Sequence, residues 1–357
     1  MSKGEHIKGR GAQLRVHNRF DQHSHELRDD FLNHCATEGD SPENHKTLFI
    51  DTFPKSIVNK VDSPDVGMGY SLNPYQGCEH GCVYCYARNS HEYWGYGAGI
   101  DFESRILVKR NAPELLEKFL SKKSWTASPI VLSGNTDCYQ PAEKKLGITR
   151  ELLKIFDRYR HPVGIITKNV LLLRDLDLLK SLAEDNLIQV NISITSLSED
   201  TRRLLEPRTA SIKKRLNAIE TLAKNGIPVR AMLAPIIPGL TAHEILPLTK
   251  AVADAGASAT GYTVVRLNGA IGNIFTQWLQ TALPDRADKI LNQISACHDG
   301  QLNDSQYGRR MRGSGEFANQ IKTQIELGRK KYLHGRSIPP LNTELFEEFR
   351  PGQLRLF

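Results

Sequence analysis

Three of the six cysteines in this chain, Cys78, Cys82 and Cys85, lie within eight residues. Glycines beside and between them allow a tight turn that would bring the three thiols together. A structural zinc site needs four protein ligands, and the sequence has no second Cys-x-x-Cys pair. A four-iron cluster held by three thiolates leaves one iron free to bind a small molecule. The spacing therefore predicts such a cluster, and the alternative is a zinc ion bound by the same thiols and His80.

From about residue 67 onward, the chain alternates between short apolar runs rich in β-branched residues and longer amphipathic stretches. This pattern is typical of repeated βα units around a parallel sheet. The predicted strands are residues 67–72, 129–133, 163–167, 188–195, 229–234 and 258–265. Parallel strands with right-handed crossovers all end on one face, and the cysteines follow the first of them.

The number and order of these elements predict the fold class and the domains. Six strands with five or six helices predict an α/β fold, a partial (β/α)6 TIM-like barrel over residues 66–270. Residues 1–65 are polar, with scattered histidines and no clear period, so we expect a partly ordered N-terminal arm. Residues 271–357 are expected to form a helical C-terminal extension. A His-x-His pair at His23 and His25 could bind metal, but a solvated polar stretch is the simpler interpretation.

The spacing Cys78-x3-Cys82-x2-Cys85, with Tyr84 before the last cysteine, resembles that of the radical S-adenosylmethionine (SAM) enzymes, spore photoproduct lyase-like branch. The resemblance implies a [4Fe-4S] cluster whose open iron binds the amino and carboxylate groups of SAM. It also implies reductive cleavage of SAM to a 5′-deoxyadenosyl radical that takes a hydrogen atom from substrate, with a reductase or flavodoxin-type protein as electron donor. Such a radical must be shielded from water and held against one C–H bond, which suits the rim of a barrel.

The same resemblance implies further cofactor-binding residues. Tyr84 matches the position near the adenine of SAM. A loop after the second strand matches the position that binds the methionyl amino group, although the usual Gly-Gly-Glu is absent. Lys168 and Ser193 match positions near the carboxylate and ribose of SAM. The loop residues are Gly134, Asn135 and Asp137.

Cys138 and Tyr139 follow that loop, beside the expected radical site. Because S–H and phenolic O–H bonds are weaker than most C–H bonds, either side chain could donate a hydrogen atom to a product radical. A catalytic role is therefore one interpretation of these residues. The alternative for Cys138 is a small, half-buried packing residue.

A basic stretch over residues 307–336 contains eight Lys or Arg residues against two Glu residues. Such a stretch could neutralise the phosphates of DNA, although a Lys/Arg face is often only a solvated helix surface. The proposed DNA-contacting residues include Arg309, Arg310, Arg312, Lys330 and Lys331.

The last residues of the sequence resemble the short tail by which bacterial repair and replication proteins bind the sliding clamp. Leu354, Leu356 and Phe357, after Gln353, would be anchors for an apolar groove. The alternative is that the tail packs back onto the barrel. Together with the basic stretch, the tail favours DNA as the substrate.

The composition of the chain predicts where the protein is located. The chain has a formal net charge of +7 and 39% hydrophobic residues, and no run approaches the roughly 18 apolar residues of a membrane span. We therefore expect a cytoplasmic protein with no membrane contact. The predicted function is a radical SAM enzyme acting on a DNA lesion or other nucleic acid. The alternatives are radical chemistry on a small molecule or protein side chain, and an iron–sulfur or zinc protein that binds nucleic acid without catalysis.

Overall fold

The computed structural model of the protein describes residues 7–21 and 46–348. The sliding-clamp tail predicted at residues 353–357, Cys35 and the pair His23 and His25 lie outside the described residues. The strands are β1 Leu48–Thr52, β2 Val58–Lys60, β3 Tyr70–Leu72, β4 Tyr75–Gln76, β5 Arg105–Lys109, β6 Ile130–Leu132, β7 Val163–Thr167, β8 Ile188–Ser193, β9 Val229–Ile236 and β10 Ala259–Val264.

The α-helices are Ile100–Ser104, Ala112–Leu120, Glu143–Leu146, Ile148–Arg158, Leu176–Glu184, Glu199–Leu205, Ile212–Lys224, Ile245–Asp254, Ala270–Ala282, Ala287–Ala296, Gly315–Tyr332 and Leu345–Glu348. Short 3-10 helices are Tyr86–Trp94, Leu171–Asp175, Ala242–Glu244 and Pro284–Arg286. None of the described helices is both long enough and apolar enough to cross a membrane.

Seven strands form the main sheet, in the order β10-β9-β8-β7-β6-β3-β2. All neighbouring strands are parallel except β2 and β3, which are antiparallel. The six strands predicted from apolar runs are β3 and β6 to β10, and β7 has the bounds predicted for it. The predicted α/β fold with a parallel sheet is therefore confirmed. Among the described strands, β10 and β2 end the order, so the sheet stays open.

The helices between these strands follow local sequence signals. The helix Ile212–Lys224 begins after Ser211, whose side chain accepts a hydrogen bond from the backbone N–H of Lys214. It ends at Asn225, and Gly226 follows with a φ of 73°. Its buried face packs on the sheet and carries one charged residue, Arg215, among apolar neighbours. A cation on that face requires a buried anionic partner.

A second sheet, in the order β1-β5-β4, was not predicted from the sequence. β1 pairs in parallel with β5, and β4 pairs antiparallel with β5. β1 is mostly exposed and alternates weakly between apolar and polar residues, so its sequence gives a poor strand signal. The region expected to be a partly ordered arm therefore contributes two strands, β1 and β2, to the fold.

The segment after residue 300 lies along the free edge of β10. The backbone N–H of Val264 donates to the carbonyl oxygen of Met311 at 3.0 Å. Arg312 donates to the carbonyl oxygen of Tyr262 at 2.7 Å, and Arg329 donates to that of Thr260 at 2.6 Å. These contacts satisfy groups that an open sheet would otherwise leave unpaired. The C-terminal extension thus protects the edge at which the barrel is incomplete.

Candidate active site

A cavity of about 910 Å³ is lined by residues from the loops after β3, β6 and β7, by β8 to β10 and by the C-terminal segment. All three clustered cysteines line it, and we call Cys78, Cys82 and Cys85 the cysteine wall. Six arginines also line it, and we call them the arginine wall. They are Arg230, Arg266, Arg310, Arg312, Arg329 and Arg336.

The cysteine wall is formed by three free thiols that line the same cavity. Cys78 and Cys82 are buried, with 6% and 7% exposure. Burial raises the pKa of all three thiols, and the nearby Cys82 and Cys85 raise that of Cys78 further. Buried thiolates need a compensating cation, which the iron of a cluster provides. Within the described residues, no three His, Cys, Asp or Glu side chains form a group suited to one metal ion.

A buried ion pair holds the loop of the cysteine wall from behind. Arg88 and Glu103 are both fully buried and lie 2.5 Å apart. The Arg88 guanidinium donates two hydrogen bonds to the carbonyl oxygen of Cys82, at 3.0 and 2.9 Å. Sequence reasoning missed both residues. The loop backbone is therefore fixed at its second cysteine by a charge pair that water does not reach.

The segment 7–21 covers this same loop. The backbone N–H groups of Gly11 and Ala12 donate to the carboxylate of Glu103 at 3.0 and 2.8 Å. A Cβ at Gly11 would lie 1.8 Å from the carbonyl oxygen of Gly81, so only glycine allows this approach. The N-terminal segment thus excludes water from the back of the cysteine loop.

A charged network lies beneath Tyr84 and Lys168. Glu206 is fully buried, forms an ion pair with Arg215 at 2.5 Å and accepts hydrogen bonds from the Tyr84 and Thr195 hydroxyls. Burial alone would raise the pKa of Glu206, but Arg215 and Lys168 lower it to about 2. Sequence reasoning missed Glu206 and Arg215. A charged residue on the apolar face of the helix Ile212–Lys224 was the signal that could have found Arg215.

Lys168 is half-buried in the cavity, with its Nζ 5.9 Å from the centroid of the Tyr84 ring. Desolvation lowers the pKa of Lys168, but Glu206 and the Cys82 thiol more than offset this, so the pKa is raised. Lys168 therefore stays protonated at the cysteine wall. Ser193, at the end of β8, also lines the cavity, so the structure brings it to the same site as Lys168, and its cofactor-binding role stays a prediction.

The loop after β6 brings its three predicted residues to the cavity. Asp137 accepts hydrogen bonds from the Thr167 hydroxyl and from the backbone N–H of Lys168, and its carboxylate lies 3.3 Å from His80 Nδ1. Burial raises its pKa, but His80 and these hydrogen bonds outweigh burial and lower it. Asn135 donates to Gln76 and Ser90, so its amide holds the loop. At Gly134 a Cβ would lie 2.8 Å from that of Ser71.

Cys138 and Tyr139 do not face the cavity, as donation of a hydrogen atom to a product radical would require. Both are fully buried in the main apolar core, and neither lines the cavity. Thr149 donates to the carbonyl oxygen of Cys138, and the Tyr139 hydroxyl donates to Asp175 at 3.0 Å. The chain turns into the core after Asp137, so the two side chains pack among apolar residues. This placement does not favour hydrogen-atom donation, which stays a sequence-based prediction.

The basic residues predicted to contact DNA divide into two groups. Arg310 and Arg312 line the cavity, whereas Lys330 and Lys331 are exposed and do not. Arg309 forms ion pairs with Asp299 and Asp304, each at 2.5 Å. The predicted DNA contacts are not tested by this arrangement.

An open parallel sheet with three free cysteines at its carboxyl edge, all facing one cavity, is the arrangement of the radical SAM class of enzymes. Residues 72–252 match the Radical SAM superfamily profile, and the chain belongs to that superfamily. It is therefore an enzyme of a class that uses SAM and a [4Fe-4S] cluster.

The relatives agree with this assignment. An uncharacterized protein of Mycobacterium bovis is 32% identical over 250 residues, covering 69% of this chain and 73% of that protein. An uncharacterized protein of Methanocaldococcus jannaschii is 32% identical over 252 residues, covering 71% of this chain and 90% of that protein. A spore photoproduct lyase mutant with bound AdoMet and dinucleoside spore photoproduct superposes with a TM-score of 0.60 at 16% identity, covering 82% of each chain. That likeness shows a shared fold.

Proposed function

We propose that Cys78, Cys82 and Cys85 hold a [4Fe-4S] cluster and that the enzyme acts on a nucleic acid. The observation that carries the proposal is one cavity that joins the cysteine wall to the arginine wall. When bound, the cluster and SAM supply a carbon-centred radical that takes hydrogen from substrate. A basic surface beside the cluster suits a polyanionic substrate.

Other residues of the chain suit the binding of SAM and the exclusion of water from the cluster loop. Lys168 stays charged and suits the carboxylate of SAM, because a point charge compensates an anion at short range. Tyr84 is held by Glu206, so its ring has one orientation next to Lys168. Asp137 and the backbone around Gly134 suit the methionyl amino group, since an ionised carboxylate attracts a cation. The segment 7–21 and the Arg88–Glu103 pair keep water from the cluster loop.

The test uses full-length protein reconstituted with iron and sulfide under anaerobic conditions. Electron paramagnetic resonance of the reduced protein should show a four-iron signal that shifts when SAM is added, and SAM should be cleaved to 5′-deoxyadenosine. Single-stranded DNA should bind and change the rate of cleavage. A protein that takes up zinc alone contradicts the cluster assignment, and one that cleaves SAM but does not bind DNA contradicts the substrate assignment.

A further inference from the structure

Four members of the arginine wall form hydrogen bonds or ion pairs with the protein itself. Arg312 and Arg329 donate to the carbonyl oxygens at the edge of β10. Arg310 pairs with Asp65 at 2.6 Å, and Arg336 donates to the carbonyl oxygens at the end of the helix Ile245–Asp254 and beyond it. These four arginines therefore connect the C-terminal segment to the rest of the fold.

The other two members, Arg230 and Arg266, are different. Both are half-buried and line the cavity, yet neither forms a hydrogen bond or ion pair with any residue among 7–21 and 46–348. A guanidinium carries five N–H donors, and neither Arg230 nor Arg266 has a side-chain nitrogen among the described buried atoms that lack a partner, so their donors are accessible from the cavity. Two such groups in one cavity indicate that an anionic ligand supplies the acceptors.

The fold directs Arg230 into the cavity. Along β9, Val229, Ala231 and Leu233 are buried on the outer face, so Arg230 and Met232 point to the cavity. Gly261 on β10 makes room for them. A Cβ at Gly261 would lie 2.4 Å from the Met232 sulfur and 3.5 Å from Arg230 Cδ.

The fold fixes Arg266 equally well, through its backbone. The residue before it, Val265, donates to the carbonyl oxygen of Ile236 at 2.9 Å. The residue after it, Leu267, donates to the carbonyl oxygen of Leu302 at 2.8 Å. Burial lowers the pKa of Arg266 and nearby Arg310 lowers it further, while Tyr86, Asp65 and Asp304 partly offset this. The backbone is held on both sides while the side chain is left free.

We infer that Arg230 and Arg266 bind phosphate groups of the substrate, and this inference rests on the proposed function. The planar fork of a guanidinium matches two phosphate oxygens, and both arginines share the cavity with the cysteine wall. Phosphate groups held by these two residues would place the sugar or base of a nucleotide in the cavity that Cys78, Cys82 and Cys85 also line. The source of the phosphates is a nucleic-acid strand or a free nucleotide.

The experiment measures binding of labelled single-stranded (dT)10 and of the dinucleotide pTpT to reconstituted protein at several salt concentrations. Arg230→Gln and Arg266→Gln should each weaken binding roughly tenfold and lower the slope of log Kd against log salt by about 0.7 to 1. Arg230→Lys and Arg266→Lys should restore the slope, since they keep the charge. Arg158→Gln is the matched control, because Arg158 is exposed and paired with Glu117 outside the cavity.

The outcomes separate this inference from the proposed function. A loss of SAM affinity in either glutamine variant would assign the arginines to SAM and overturn the inference. Unchanged salt slopes, or no binding of either probe to the wild type, would also overturn it. Weakened binding of pTpT in a protein that does not bind (dT)10 supports a nucleotide as the phosphate source. Failure of SAM cleavage in the wild type contradicts the proposed function alone.

Discussion

The two walls of the cavity are built in opposite ways. The cysteine wall comes from eight consecutive residues, and its loop is held by the buried pair Arg88 and Glu103. The arginine wall is assembled from residues between 230 and 336, on strand β9, on the loop after β10 and on the C-terminal segment. A short motif can therefore specify the chemistry of this enzyme, whereas the site that would choose the substrate exists only after the chain has folded.

The largest expected effect separates the two walls. Cys82→Ala should reduce bound iron from about four atoms per chain to less than one, because a cluster with two thiolate ligands is poorly held. SAM cleavage should become undetectable while binding of (dT)10 persists. Iron analysis and product chromatography measure the change.

Cys138→Ala is the matched control, since it removes a buried thiol that does not face the cavity. Its iron content and SAM cleavage should stay within about twofold of wild type, because Cys138 lies in the apolar core and not on the cavity. An equal loss of iron and of SAM cleavage in both variants would contradict the assignment of the cluster to the cysteine wall.

A second prediction concerns the support beneath the cysteine wall. Arg215→Met leaves the buried carboxylate of Glu206 without its ion-pair partner, which should lower the free energy of unfolding by about 3–5 kcal/mol. Anaerobic urea unfolding measures it. The double variant Arg215→Met with Glu206→Leu should recover part of the loss, since it removes both charges. A single variant as stable as wild type would show that the network is not needed for folding.

A third prediction tests the boundary between the walls. Lys168→Met should weaken SAM binding by about tenfold to a hundredfold, the usual range for loss of a charge-assisted contact. Iron content should be unchanged. Isothermal titration of reconstituted protein measures the affinity, and Lys330→Met, on the exposed face of its helix, is the control. An effect on (dT)10 but not on SAM would move Lys168 to the arginine wall.

The smallest predicted effect is a pH dependence. The pKa of Glu206 is about 2 in the folded protein, against 4.5 for an ordinary glutamate, so its ionised form stabilises the fold above pH 4.5. That contribution is lost as pH falls from about 4.5 towards 2. The stability difference between wild type and Glu206→Gln should therefore shrink over this window. Urea unfolding at pH 7, 4.5 and 3.5 measures it, and a constant difference would contradict the assignment.

The same contrast explains what the sequence could predict. β7 was predicted with the bounds it has, because a buried strand in a parallel sheet reads as a continuous apolar run. β1 and β5 were missed, since they stabilise each other across more than fifty residues of sequence and β1 is largely exposed. Long-range pairing leaves little trace in local composition.

The site shows the same limit. Lys168 and Ser193 were predicted to face the cofactor, and both line the cavity, because residues that end parallel strands meet at one edge. Cys138 was placed beside them only because it is near in sequence, but the turn after Asp137 takes it into the core. Arg230 was missed because it lies within β9, and only the apolar residues of that segment served to predict the strand.

The contact of Gly11 with Gly81 also sets an order of events during biogenesis. Residues 7–21 leave the ribosome well before Glu103, the residue that anchors them, so the segment has no docking site when it is made. Once it is docked, the back of the cysteine loop is sealed at van der Waals distance. Once the segment has docked, iron and sulfide must therefore reach the three thiols from the cavity that they line.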